Sequence, residues 1–552
     1  MKDLRENLAF PVLGERQIQR LRSIGTERTV EDGAILFAEG ERGFDFYVVV
    51  SGRVEILEHS GGEARTVTIH EPGEFTGDVD MVTGRSALVT AVARGPTRLI
   101  AIPAAEIRRF VAEDPELGDT VLQGFMMRRT LLLDSGFSGV RVIGSRFSPD
   151  TVRLTQFLGR NGVPHTWLDV EEDTAADDLL RQFGVGPEEM PVVMMGDGRI
   201  LHRPSLEEIS ERMGLSSPVG ETDLADLLIV GAGPGGLAAA VYGASEGLRT
   251  VVLEASHPGG QAGGSTRIEN YLGFPMGLSG AELTDRALLQ AQRFGAEISV
   301  PREAVGLRLE PGRKTVRLAD GSEVAGRSLI IATGADYRKP DIPCLTDFEG
   351  VGVYYAASEM EARMCRAGHA VIVGGGNSAG QAAVFLAQRL TRVIIAIRGD
   401  GLASSMSQYL LTRIEQTPNI EVLTRHVVVG LEGEAALETV RLENRDTGEV
   451  RTEPASGLFV FIGAVPRTEW LEDRVETDEK GFVRTGSSLL AGRSEPPAAF
   501  GGLGRLPHPL ETSVPGVFAV GDIRARSVKR VASAVGEGSM AVRFVHEYLA
   551  RG

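Results

Sequence analysis

The segment DLLIVGAGPGGLAAAVYGASEGLRTVVLEA, residues 226–255, decides the reading of the chain. Apolar residues Leu227–Val230 form a buried-strand pattern that runs into Gly231-Ala232-Gly233-Pro234-Gly235-Gly236 and then an Ala-rich helical run. A second apolar strand follows and ends at Glu254. Gly231 permits the tight turn, Gly233 lets the backbone approach a pyrophosphate, and Gly236 lets helix and strand pack closely. The helix N-terminus offers unpaired N–H groups to phosphates, and Glu254 can accept from ribose hydroxyls. A lone GxGxxG is weak evidence, but here strand, helix and carboxylate agree on a dinucleotide site.

Working outward, HAVIVGGGNSAGQAAVFLAQRLTRVIIAIRG, residues 369–399, repeats the pattern. Gly374, Gly376 and Ala379 give GxGxxA between strand and helix, with Asn377 and Ser378 at the turn. The next strand ends in Arg398 instead of an acid, which favours a 2′-phosphate and hence NADPH over NADH. Two more apolar strands close on small-residue turns: Ile330-Ile331-Ala332-Thr333-Gly334 and Val517-Phe518-Ala519-Val520-Gly521-Asp522.

A chain of 552 residues exceeds one hydrophobic core and suggests roughly three to five domains. The net charge of −17 disfavours nucleic acid and anionic membrane surfaces as partners. No run approaches the roughly 18 apolar residues of a membrane span, and the N-terminus lacks a signal core, so the chain reads as cytoplasmic. The two cysteines, Cys344 and Cys365, form no CxxC, which excludes a disulfide framework. The histidines are scattered, and no metal site is expected.

Upstream, residues 1–138 read as short strands broken by Gly33, Gly40, Gly43, Gly52, Gly61 and Gly73, flanked by helical segments. That spacing predicts an antiparallel barrel or jelly roll. Residues 139–218 follow the order βαβαββα of a small α/β domain, with helices over PDTVRLTQFLGRNG, TAADDLLRQFG and SLEEISERMG and a hairpin turning at 196–198. A polar linker, 219–224, precedes the dinucleotide region.

With GAGPGG, GGQAGGSTRIENYLGFP, the ATG turn, VGGGNSAGQAA, FIGAVPRT and AVGDIRARSVKRVASAVGEG in this order, residues 224–552 resemble the low-molecular-weight thioredoxin reductase flavoproteins. The resemblance implies a two-domain α/β Rossmann-type flavoprotein: an FAD domain (225–344 and 464–552) with an inserted NAD(P)H domain (345–463), assembled as a homodimer. It implies that Gly231, Gly233, Pro234, Gly236 and Glu254 hold the ADP half of FAD. Gly260, Gln261 and Asn270 would lie along the flavin and pyrophosphate, and the Thr333-Gly334 and Gly521 turns would join the same set. Asp522 would bind the ribityl chain, and Val531 and Ala532 would lie near the flavin ring. Gly374, Gly376, Asn377, Ser378, Ala379 and Arg398 would serve NADPH or NADH. The family's domain rotation implies hinges near 343–345 and 463–466.

One departure is large. Where the family carries its redox CxxC, this chain reads GVGVYYAASEMEARMCRAG, with Tyr354, Tyr355, Ala356 and Ala357 in the region and Cys365 alone and late. Cys344 reads as an ordinary small apolar residue. The expected function is therefore an FAD-dependent NAD(P)H oxidoreductase passing electrons to a non-dithiol acceptor: ferredoxin, a quinone, a small molecule or oxygen. No side chain is assigned a catalytic role. Two alternatives stay open, a redox or nucleotide sensor with little turnover, and a disulfide reductase using another thiol.

LFAEGERGFDFYVVVSGRVEI and PGEFTGDVDMVTGRSALVTA make the N-terminal barrel resemble cyclic-nucleotide-binding domains. In that family a Gly-Glu pair holds the ribose and an arginine the phosphate. Here the pair is Gly77-Asp78, the ungapped arginine position is Ala87, and Arg85 lies two residues early. Nucleotide binding and a barrel used only for contact both stay open. Met190-Pro191-Val192-Val193 makes residues 139–218 resemble a thioredoxin or glutaredoxin domain, with Ser145 and Ser148 where its CxxC would stand. A hydroxyl has no thiolate chemistry, so this domain is expected to be redox-inactive.

Overall fold

The computed structural model describes residues 4–551 apart from 61–62, 135–138, 174–175, 177–178, 182–183, 196–197, 217–223, 266, 358, 366–367, 404 and 494. At the N-terminal end, Phe46–Ser60 and Thr90–Ile102 are the long strands around which the barrel closes. Thr26–Val30 and Ile35–Phe37 pair with Thr90–Ile102, Glu63–His70 pairs with Phe46–Ser60, and every pairing is antiparallel. The helices Ala104–Glu113 and Pro115–Asp134 pack on this sheet. Phe46, Phe75 and Phe125 are fully buried at their contact, with ring centroids 5.3 to 6.3 Å apart. The Arg128 guanidinium lies 4.5 Å from the Phe75 ring centroid and donates to the carbonyls of Ala9 and Gly77.

In the second module, Val140–Ile143 pairs parallel with His165–Leu168 and antiparallel with Val192–Met194, which pairs antiparallel with Ile200–His202. The crossover helix Pro149–Arg160 starts where the Ser148 hydroxyl accepts from Thr151 N. Helix Leu206–Met213 starts at Ser205 and ends at Gly214, whose φ is +71°. The Met190–Pro191 peptide is cis. The helix expected over 174–184 and the turn at 196–198 lie partly outside the described residues, as does all of the expected linker except Leu224.

The C-terminal part is built on two separate sheets. In the first, Glu297–Ser299, Thr250–Leu253, Ala225–Val230, Glu323–Ile331 and Val517–Ala519 run parallel, in that spatial order. Arg313–Leu318 and Ala304–Glu310 extend it as an antiparallel pair. In the second, Val353–Tyr354, Gly457–Val460, His369–Val373, Arg392–Ile397 and Ile420–Thr424 are all parallel. The central parallel strands Ala225–Val230, Thr250–Leu253, Gly457–Val460 and His369–Val373 are largely buried on both faces, as their apolar runs require, whereas the edge strand Ile420–Thr424 is partly exposed. The chain crosses between the sheets through Ala335–Tyr337 and returns through Ala464–Pro466, and the two crossings pair antiparallel. Ile342, Leu345 and Phe348 already pack in the core of the second sheet. No described helix is long and apolar enough to cross a membrane.

Burial in the barrel holds His70 neutral. It is 2% exposed beside Glu74, and desolvation, with Arg128 nearby, pulls its pKa from 6.5 down to about 4. Between those values the unfolded chain binds the proton and the folded barrel does not, so stability falls as pH drops through that window. The expected loss from this group between pH 7 and pH 5 is about 2 kcal/mol. Hydrogen exchange of the barrel amides should show this slope in the wild type and a shallower one in His70→Gln.

Candidate dinucleotide sites

The chain passes from strand Ala225–Val230 into helix Pro234–Ser245 through Gly231, Ala232 and Gly233. Gly231 has φ +103°, and a Cβ there would stand 2.4 Å from the Ala332 carbonyl oxygen. A Cβ on Gly236 would stand 1.9 Å from the Gly231 carbonyl oxygen, so helix and strand approach this closely only with glycine. Gly233 is different. It is the helix N-cap with φ −70°, and nothing lies within 4 Å of where its Cβ would be. Pro234 takes the first helical position, where no N–H partner is lost. The space over Gly233 faces the unpaired N–H groups of the first turn, which suits a pyrophosphate.

Glu254, just past strand Thr250–Leu253, is 7% exposed. One carboxylate oxygen accepts from Ala232 N at 2.7 Å and the other from Ser256 N at 2.9 Å. The carboxylate therefore pins the glycine turn to the neighbouring strand. Oε1 also accepts from Ser256 Oγ and His257 N, both at 3.4 Å, so of the carboxylate's roughly four lone-pair sites the one left for a ribose is on Oε2.

The Thr333-Gly334 and Gly521-Asp522 turns follow the parallel, paired strands Glu323–Ile331 and Val517–Ala519 and so lie at the same edge. Thr333 Oγ1 donates to the Arg467 carbonyl at 3.0 Å, and the Gly334 carbonyl accepts from Arg467 N at 3.3 Å. Gly521 N donates to Glu537 Oε2 at 2.7 Å. Burial, reinforced by Glu537, raises the Asp522 pKa, and Lys529 opposes the shift. Val531 and Ala532 open the helix Val531–Leu549. Gly260 and Gln261 open the short helix Gly260–Gly263, and Gln261 Nε2 donates to the Ala335 carbonyl on the crossing strand. Asn270 stands on an exposed bend, and its neighbour Glu269 pairs with Arg413 from the second sheet's region at 3.1 Å. Glu537 and Arg467 support this edge; both fall in segments that carry the family resemblance, AVGDIRARSVKRVASAVGEG and FIGAVPRT, without a role of their own there.

At the second turn, Gly374 has φ +133°, and a Cβ there would stand 2.2 Å from the Phe461 carbonyl oxygen. Gly376 caps helix Asn377–Ala387 and again has nothing within 4 Å of its Cβ position. Ala379 is fully buried. Asn377 Oδ1 accepts from Ser407 N at 2.7 Å, and Ser405 Oγ donates to the Gly375 carbonyl at 2.8 Å. Ser378 is exposed on the first turn, and Arg398 is exposed directly after strand Arg392–Ile397.

Where a dithiol was sought, Tyr354 is buried against Phe459 with ring centroids 5.3 Å apart. The Tyr355 hydroxyl donates to Glu349 at 2.6 Å, and its ring stacks on Tyr337 at 6.1 Å. Ala356 lies beside Gly264. Cys365 is 3% exposed, and burial pushes its thiol up to about 12, with Glu361 adding to the shift. Cys344 is exposed, with φ +59°, and caps the turn Leu345–Phe348.

In the barrel, Asp78 caps helix Val79–Thr83 by accepting from Asp80 N at 2.9 Å and pairs with Arg129 at 3.2 Å. Burial and the neighbouring Asp80 raise its pKa. Ala87 is buried, and its N–H donates to the Glu41 carbonyl. Arg85 reaches out of the barrel, and its Nη1 donates to the Asn161 carbonyl of the second module at 2.9 Å.

Residues 225–538 match the family described as pyridine nucleotide-disulphide oxidoreductase, and residues 27–114 match the cyclic nucleotide-binding domain. The chain is 33% identical over 329 residues to a thioredoxin reductase of Treponema pallidum, covering 60% of this chain and 98% of that protein. It is 32% identical over 335 residues to a bifunctional thioredoxin reductase/thioredoxin of Mycobacterium leprae, covering 61% of this chain and 68% of that protein. A crystal structure of thioredoxin reductase from Lactococcus lactis aligns with a TM-score of 0.53 at 28% identity, covering 59% of this chain and 100% of that one.

The two kinds of glycine separate experimentally. Gly236→Ala must push the helix off its strand and should cost about 1–3 kcal/mol in urea denaturation of the flavin-free protein. Gly233→Ala meets no protein atom, so its cost should stay within about 0.5 kcal/mol. FAD affinity should nonetheless fall at least about tenfold in Gly233→Ala, read by flavin fluorescence on dilution.

Proposed function

Because the chain belongs to the pyridine nucleotide-disulphide oxidoreductase family, we propose that it is an FAD-dependent NAD(P)H oxidoreductase whose electrons leave to an acceptor other than a dithiol of its own. The observation that carries this reading is the pair of open-faced glycine turns, at Gly233 and Gly376, on two sheets of one polypeptide linked by paired crossings. Each turn presents a helix N-terminus free of its own side chains, the donor set a dinucleotide phosphate needs.

FAD, when bound, supplies the hydride-accepting chemistry. The chain's residues supply position and electrostatics. The turn at Gly231–Gly236 and the start of helix Val531–Leu549 present backbone donors, and Glu254 and Asp522 present acceptors. Stacked Tyr337 and Tyr355 close the seam beside the crossing strand against water. On the nicotinamide side, Asn377 holds the loop at Ser407, and Arg398, exposed directly after its strand, would meet a 2′-phosphate.

The cysteines support the acceptor assignment. One is buried with its thiol held protonated and the other is exposed and solitary, so no internal disulfide relay follows. The curated relatives named thioredoxin reductase favour the rival reading, in which the acceptor is a disulfide in another protein. The second module fits a thioredoxin-like fold by its strand order, with its serines engaged structurally: Ser145 Oγ donates to Glu171 and Ser148 caps a helix.

Anaerobic addition of NADPH should bleach the yellow purified protein, and a flavin-free preparation sinks the proposal. Cys344→Ser/Cys365→Ser should keep its turnover with a quinone, ferredoxin or oxygen, whereas loss of that turnover would return the assignment to thiol chemistry. Arg398→Ala should weaken NADPH about tenfold and leave NADH unchanged, measured by the nicotinamide dependence of bleaching.

A further inference from the structure

Arg85, two residues before the phosphate position of the resembling barrels, bonds the protein itself. It follows Gly84, which ends helix Val79–Thr83 with φ +76°, and this turn aims the side chain at the seam between modules. There Arg85 Nη1 donates to the Asn161 carbonyl at 2.9 Å. A charged donor on a carbonyl away from water is the stronger kind of hydrogen bond. The next residue repeats the grip, since Ser86 Oγ donates to the Arg212 carbonyl at 3.2 Å.

Asn161 is the C-cap of helix Pro149–Arg160 and is 4% exposed. Its Nδ2 donates to the Phe157 carbonyl at 2.9 Å and to the Ser256 carbonyl of the dinucleotide region at 3.2 Å. Ser256 N in turn donates to Glu254 Oε1 at 2.9 Å, and the other oxygen of that carboxylate holds Ala232 N. A small cavity at this seam, of about 10 Å³, is lined by Arg85, Asn161, Gly214, Pro258 and Val300. All three parts of the chain therefore meet around Asn161. The seam is anchored again nearby, where Ser216 Oγ donates to the Val300 carbonyl at 2.6 Å.

We propose that Arg85 and Asn161 are positioning residues for the first dinucleotide site, Arg85 fixing the Asn161 turn and Asn161 fixing the Ser256 loop that orients Glu254. The proposal rests on the reading of that site as the FAD site. It gives the barrel a role in flavin binding that needs no ligand in the barrel. It also explains why Arg85 can lie two residues from the phosphate position of a nucleotide-binding barrel and still be placed by the fold. Asp285, on helix Gly280–Arg293 of the flavin sheet, also faces Arg85 and Arg129 and adds charge complementarity to the same contact.

The test uses the full-length chain and the FAD dissociation constant, read by free-flavin fluorescence on dilution, beside the NADPH dependence of flavin reduction. Arg85→Ala should weaken FAD about tenfold, with the NADPH dependence unchanged and Arg85→Lys recovering most of the loss. Asn161→Asp keeps the carbonyl that Arg85 grips but removes the donor to Ser256, and should weaken FAD by a similar factor. The double variant should be no weaker than Asn161→Asp alone, because the relay is already cut downstream. Unchanged FAD affinity in either single variant, or losses that multiply in the double variant, overturns the proposal. If Arg85→Ala does not fold, Asn161→Asp decides alone, and tight FAD binding in it is the overturning result. A wild-type protein that binds no flavin fails the FAD reading itself, which is a distinct result from wild-type binding with insensitive variants.

Discussion

The approach of Gly236 to the Gly231 carbonyl, with 1.9 Å available where a Cβ would stand, is the contact on which the flavoprotein half depends. It brings helix Pro234–Ser245 onto its strand and aims the helix N-terminus along the sheet edge. Glu254 then locks the geometry by reaching across to Ala232 N, and its carbonyl accepts from Arg302 N at 2.6 Å. Three successive segments are thereby tied at the point where parallel strands end and ligands of this architecture sit. The second turn solves the same problem with a variation. Gly374 meets the Phe461 carbonyl as closely, but Ala379 replaces the third glycine and is accommodated fully buried.

The crossing between the sheets is narrow, one antiparallel pair of short strands. Side chains reinforce it from both ends: Gln261 bonds Ala335, Arg467 pairs with Asp336, and Tyr337 stacks on Tyr355. Aromatic and hydrogen-bonded packing thus occupies the segment Tyr354–Ala357. Burial that raises a thiol's pKa makes Cys365 a core residue, and exposure with a left-handed backbone makes Cys344 a turn residue.

The N-terminal modules are joined to this half by polar contacts, those of Arg85 and Arg293 among them, and by a buried apolar cluster that holds Met213 and Leu215 together with Leu288 and Val300. Buried carboxylates in the barrel cassette are neutralised internally, Asp78 and Asp80 both by Arg129. Removing one partner of such a group would strand the other charge away from water, which constrains Asp78, Asp80 and Arg129 together. Arg293 carries the same logic to the far side of the interface, donating to the Val111 carbonyl at 3.2 Å.

The glycine turns, the apolar parallel strands, the antiparallel barrel and the absence of a CxxC were legible in the sequence, because each is a local demand. Gly231 must turn, Val251–Leu253 must be buried, and no dithiol forms where Tyr354–Ala357 stand. Local patterning also located Glu254 and Arg398, but not what else they do: Glu254 is as much a brace for Ala232 and Ser256 as an acceptor for a ligand. Asn161 carried no signal, and the motif segments that hold Glu537 and Arg467 gave those two no role. Their partners lie 16, 131 and 95 residues away in the chain for Gly521, Asp336 and Ser256. The sequence by itself determined which segments become strands, turns and helix starts, since those depend on sterics and apolar periodicity within a few residues. Only the tertiary structure decided that Arg85 grips Asn161 instead of facing the barrel, because a charged side chain takes the buried acceptor that domain packing brings within reach.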